Sequence, residues 1–144
     1  VIGTASMSFA DGYDRKAFNY RSYKPNTSIV FYTNKTCYFI NIDHIVSLKD
    51  AYESGASSWS DSRKESFAND RSNHVPSCGR VNSSKGSEGP KDFLRRSNDG
   101  KGLEYEIVRF CEYVQKYYAV KIKYSLSFQG NKGHVFESCE ITLR

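Results

Sequence analysis

Ile42-Asp43-His44-Ile45-Val46 closes an apolar run that begins at Cys37, and its reading decides the fold. Tyr38, Ile40 and Ile42 recur at period two on one face, with Cys37, Phe39, Asn41 and Asp43 on the other, as in a half-buried strand. Such a strand, ending in Asp-His, sets a hard oxygen donor beside an imidazole. The segment with complementary chemistry is Val81-Asn82-Ser83-Ser84-Lys85-Gly86.

Around this strand the chain alternates short elements. Asp11-Gly12 signals a turn, and Tyr13-Asp14-Arg15-Lys16-Ala17-Phe18 opens a short helix. Ile29-Val30-Phe31-Tyr32 reads as a short strand with a turn at Asn34-Lys35. From Ser47 to Ser54, Leu48, Ala51 and Tyr52 share a helical face, and Gly55 is a natural stop. Residues 57–71 read as a loop and a short helix anchored by Trp59 and Phe67. Asn73-His74-Val75-Pro76-Ser77 reads as a second strand, which Pro76 restricts to an edge or an end. The strongest helical pattern runs from Leu103 to about Lys123, with Leu103, Ile107, Phe110, Cys111, Val114 and Tyr118 as its apolar stripe. Residues 124–144 return to the core as a strand or short helix. The expected fold class is therefore α+β, in one domain spanning the 144 residues.

Composition narrows the function classes. With 38% hydrophobic and 26% charged residues the chain is globular rather than disordered. Its net charge of +5 favours polyanionic partners such as nucleic acid or anionic membrane. Residues 79–101 carry six basic side chains (Arg80, Lys85, Lys91, Arg95, Arg96 and Lys101) against three acidic ones. No apolar run approaches the ~20 residues needed to span a bilayer. Cys37, Cys78, Cys111 and Cys139 lack the close pairs of a structural zinc site. An even count instead suggests two disulfides, in any of three connectivities, and an oxidising compartment. A chain that starts at Val1 fits a removed signal peptide or a fragment. Sequons at Asn26 and Asn34 fit secretion; a third, at Asn82, lies on the candidate site and is expected to be unmodified.

Cutting a phosphodiester requires an activated water, a cation at the phosphate and charge relief on the leaving oxygen. A histidine accepts the water's proton, since its ordinary pKa of about 6.5 lies near working pH. A hard ion such as Mg²⁺ keeps several waters, so one carboxylate and one amide oxygen suffice to hold it. Asp43, His44 and Asn82 supply that minimum set, and a helix beginning at Asn82 would place Lys85 one turn on, to meet a phosphate.

The ordered blocks Ile42-Asp43-His44-Ile45-Val46, Ala51-Tyr52-Glu53-Ser54-Gly55-Ala56, Trp59, Phe67-Ala68-Asn69-Asp70, Asn73, Val81-Asn82-Ser83-Ser84-Lys85-Gly86 and Pro90 resemble the HNH endonucleases. These are also called His-Me finger or ββα-metal nucleases. The branch it looks like contains secreted bacterial and fungal DNases and the nuclease part of the GmrSD restriction enzymes. Cys111-Glu112-Tyr113, Val120-Lys121 and Tyr124 resemble its C-terminal helix.

The resemblance implies a ββα-metal finger, at about residues 37–95, with additional helices and a long C-terminal helix. It implies His44 as general base, Asp43 and Asn82 as ligands of Mg²⁺ (or Mn²⁺), and Asn73 as the residue that holds the site loop. Arg80, Lys85, Lys91, Arg95 and Arg96 are the candidate phosphate-binding residues. On this finger we expect Cys37–Cys78 across the two strands and Cys111–Cys139 joining the long helix to the C-terminus. Ser47 stands where the family has Pro, His74 where it has Leu, and Ser83 where it has Arg; His74 and His134 have no matched role and read as ordinary. The implied activity is a secreted, Mg²⁺-dependent endonuclease with little sequence preference, acting as a monomer on DNA, with RNA left open and no membrane partner. Two alternatives stand beside it. One is a nuclease toxin domain with a protein inhibitor. The other is a secreted nucleic-acid-binding protein that kept the fold without catalysis, a reading that Ser83 motivates.

Overall fold

The computed structural model describes residues 12–79, 89–90, 108–129 and 134–143. Mixed helices and a small antiparallel sheet make an α+β domain. The sheet pairs β1 (Ile40–His44) with β2 (His74–Cys78). In register, Ile40 lies opposite Cys78, Ile42 opposite Pro76 and His44 opposite His74. Pro76 is tolerated because a two-stranded sheet has only edges, and its carbonyl accepts a bond from the Phe31 N–H at 2.8 Å.

Between the strands lie α1 (Leu48–Glu53) and α2 (Asp61–Ala68), each begun by a serine. Ser47 Oγ accepts from the Asp50 N–H at 2.9 Å and Ser60 Oγ from Arg63 N–H at 3.1 Å, satisfying donors that a helix start leaves open. Ser47 thus has a job of its own where the resemblance has proline. Gly55 ends the α1 segment at φ +144°, a backbone state L side chains rarely adopt. Upstream, a 3₁₀ turn at Arg15–Phe18 is capped by Asp14 and buries Phe18.

Three sequence expectations shift. β1 begins at Ile40 rather than Cys37: its register with β2 runs from Ile40 opposite Cys78, and Phe39 before it keeps one backbone bond, to the Gly79 N–H. Residues 29–32 are not a strand: Ile29 makes a single bridge to Thr36 around a turn, with Asn34 at φ 57°. The third shift concerns α3 (Phe110–Lys123): of the expected stripe Val114 is buried and Phe110 and Tyr118 pack against the core, but Cys111 is exposed, and Tyr113, Tyr117, Val120 and Lys121 are buried as well. The reason is electrostatic. Asp50, itself buried on α1, accepts from Tyr117 Oη at 2.5 Å, Lys121 Nζ at 2.7 Å and Gln129 Nε2 at 2.8 Å. Lys121 also donates to Ser54 Oγ and to the Ser127 carbonyl. A buried carboxylate needs such partners, so the helix turns its tyrosines and lysine inward. Leu103 and Ile107 lie outside the described residues.

The core joins Phe18, Ile45, Val46, Leu48, Phe67, Tyr113, Tyr117, Leu126 and Phe136. Short α4 (His134–Glu137) packs Phe136 into it. Disulfides Cys37–Cys78 and Cys111–Cys139 close the sheet base and tie α3 to the C-terminal segment, the pairing expected above. Among the described residues no helix is long and apolar enough to cross a membrane.

Candidate active site

β1 delivers Asp43 and His44 at its last two positions, and Ile45 and Val46, both fully buried, anchor the strand end in the core. The turn from β1 into α1 is held by Asn73. Its Oδ1 accepts from Val46 N–H at 2.8 Å, its Nδ2 donates to the Val46 carbonyl at 2.9 Å, and its own carbonyl accepts from Ile45 N–H at 2.9 Å. Asn73 is fully buried, so these bonds satisfy backbone groups that water does not reach. Its side chain splints the site loop.

His44 Nε2 lies 2.9 Å from the carbonyl oxygen of Ala68, the last residue of α2. The final carbonyls of a helix lack intrahelical partners and are available to such donors. A carbonyl oxygen only accepts, so Nε2 carries the proton and the lone pair of a neutral ring sits on Nδ1. That is the tautomer a general base needs. Tyr20 packs edge-on against the ring at 4.6 Å between centroids.

His74 sits across the strand pair and also donates from Nε2 to the Ala68 carbonyl at 2.9 Å. Its Nδ1 accepts from Tyr23 Oη–H at 2.9 Å, and Arg71 lies over the Tyr23 ring. Burial pushes the His74 pKa below its ordinary value, against the opposing pull of the Ala68 carbonyl. The structure thus gives His74 two hydrogen-bond partners and sets its ring against His44. The side chain of His134 lies outside the described residues.

Asp43 is 5% exposed, and Tyr32 Oη donates to its Oδ2 at 2.5 Å. Burial, then the Asp43 charge, raise the Tyr32 pKa well above its ordinary value, so the phenol stays a donor. A buried carboxylate oriented by a neutral donor is a hard-oxygen ligand of the type Mg²⁺ takes. Among the described residues no group of three His, Cys, Asp or Glu side chains is placed to hold a metal ion. Asn82, Arg80, Lys85, Lys91, Arg95 and Arg96, with Ser83, lie outside the described residues.

Sequence reasoning missed Tyr32, Tyr23 and the Ala68 carbonyl. A tyrosine 11 residues upstream and a backbone oxygen 24 downstream carry no motif that a single sequence exposes.

The family model of the GmrSD restriction endonucleases, C-terminal domain, matches residues 10–133. The chain belongs to this family. An uncharacterized secreted protein of Arthroderma benhamiae is 36% identical to this GmrSD C-terminal-type domain over 90 residues, 61% of the chain. The match spans 40% of that protein's length. No solved structure matches this GmrSD-type domain significantly.

Proposed function

We propose that the chain is a secreted, metal-dependent endonuclease that hydrolyses phosphodiester bonds of DNA, and of RNA if its sugar preference allows, with little sequence preference. The observation that carries this reading is the His44 Nε2–H bond to the Ala68 carbonyl, beside a carboxylate oriented by Tyr32, in a chain of a restriction-endonuclease family. His44 accepts the proton of the attacking water at Nδ1. The Ala68 carbonyl keeps the ring in the required tautomer and accepts a stronger bond as the ring becomes charged. Asp43 and Asn82 would hold a Mg²⁺ or Mn²⁺ ion. When bound, such an ion polarises the phosphoryl group and stabilises the leaving alkoxide. Basic residues 80–96 and the +5 charge would bind phosphates, giving affinity that falls with salt and carries no sequence information. The two disulfides and the similarity to a protein described as secreted support an extracellular setting.

A second reading, a binding protein without catalysis, is favoured by Ser83 where the family carries arginine. Plasmid nicking separates the two. Cleavage is expected with Mg²⁺, and none with EDTA or with His44→Ala. Undiminished cutting by His44→Ala removes the assigned base, and silence with every divalent ion favours the binding reading. RNA in a parallel lane decides the sugar preference.

A further inference from the structure

Tyr38 and Phe39 lie just before β1 and are 91% and 72% exposed. Their rings pack edge-on, 4.7 Å between centroids. Two adjacent aromatic rings left in water forgo the burial that large apolar side chains normally supply. Their backbone is nonetheless pinned. Cys37 is bonded to Cys78, Ile40 pairs with Cys78, and the Phe39 carbonyl accepts from the Gly79 N–H at 3.2 Å. The rings are therefore presented from a fixed base rather than from a loose loop.

Their position relative to the site points to an occupant. Four strand steps, about 13 Å, separate Phe39 from Asp43. The platform directly precedes the strand that ends in the candidate centre, a few nucleotides away along a bound chain. Exposed Lys35 lies three residues before Tyr38, and the basic excess of residues 79–101 begins directly after Gly79. A protein partner would ask for more surface. Two rings of roughly 150–250 Å² each fall well short of the ~800 Å² that a stable interface takes from each partner.

We propose that Tyr38 and Phe39 form a stacking platform for an unpaired base of the strand being cleaved. The platform rests on the nuclease reading and deepens it by naming the substrate class: single-stranded or locally opened nucleic acid. Every base presents a π-face, so stacking adds affinity without sequence preference, whereas paired bases in a duplex keep their faces covered.

Binding is measured by fluorescence anisotropy in the His44→Ala background, which keeps the oligonucleotide intact. Replacing both rings (Tyr38→Ala with Phe39→Ala) is expected to weaken single-strand binding about 5- to 100-fold and to leave duplex binding nearly unchanged. Tyr38→Phe with Phe39→Tyr keeps both rings and is expected to keep the affinity. A second measurement needs no change to the platform: single abasic sites placed in turn along the oligonucleotide should cost affinity at one or two positions only. At those positions the ring-less variant should lose nothing further. Equal single-strand affinity with and without the rings overturns the platform. So does a parent that sediments as a dimer which the ring-less variant dissolves, since the rings would then be a self-association face. A parent that binds no nucleic acid removes the nuclease reading and the platform together. A ring-less variant that keeps His44 and cuts single strands as well as the native chain removes only the platform.

Discussion

His44 and His74 donate to one and the same acceptor, the Ala68 carbonyl, each at 2.9 Å, with their rings nearly perpendicular and 4.7 Å apart. The two imidazoles are not equivalent. Tyr23 occupies the second nitrogen of His74, and the proposed general base is His44. His44→Ala is expected to lower kcat by about 10²–10⁴-fold, and His74→Leu by less than about tenfold, because the Ala68 acceptor of His44 survives. Single-turnover cleavage of a labelled oligonucleotide measures both. A larger loss in His74→Leu than in His44→Ala would reverse the assignment.

Asn73 closes the loop behind the site with bonds to both polar groups of Val46. Asn73→Ala leaves a buried N–H and C=O without partners, so stability should fall by about 2–5 kcal/mol. Urea unfolding reads the change as a lower midpoint at constant m. A shift below about 1 kcal/mol would mean that water or neighbouring groups replace the amide.

Lys121 and Asp50 form a buried ion pair, 0% and 5% exposed. Lys121→Met strands the carboxylate among Tyr117 and Gln129 and is expected to cost about 3–5 kcal/mol. Adding Asp50→Asn should recover much of that loss, since the second change removes the uncompensated charge. Thermal unfolding of the two singles and the double completes the cycle. Additive losses would show that the pair is not coupled.

Asp70 links the end of α2 to the end of α3 through Lys123 and Tyr124. Burial pushes its carboxyl up, but bonds from Lys123, Tyr124 and Ser72 outweigh this and hold it well below the usual range. The folded-state pKa is depressed, so the contribution to stability is complete above the unfolded value of about 3.9 and drains as pH falls through the folded one. The Tm gap between the native chain and Asp70→Asn should therefore be widest near pH ~6 and shrink at pH ~3. A gap independent of pH would assign the effect to packing instead.

Much of the frame could be read from neighbours in the chain. Period-two apolar residues located β1 to within three residues, Ser47 and Gly55 bracketed α1, and both cysteine pairs agree with the finger they were placed on. The strand and helix bounds depend on local spacing, which a sequence displays directly; the cysteine pairs, 41 and 28 residues apart, follow from the finger that the resemblance implies.

Interactions through space decided the rest. The edge of β1 was set by where its partner strand ends. The rotation of α3 was set by Asp50, a carboxylate 67 and 71 residues away from the tyrosine and lysine it draws inward. His74 met His44 only because the strand register put the two opposite each other, on a helix-end carbonyl that no side-chain motif encodes. The sequence by itself determined which chemistry-bearing residues the chain carries and which short elements present them. Only the tertiary structure decided their tautomers, burial and partners, because a buried polar group takes whichever complementary atom packing brings within hydrogen-bond reach.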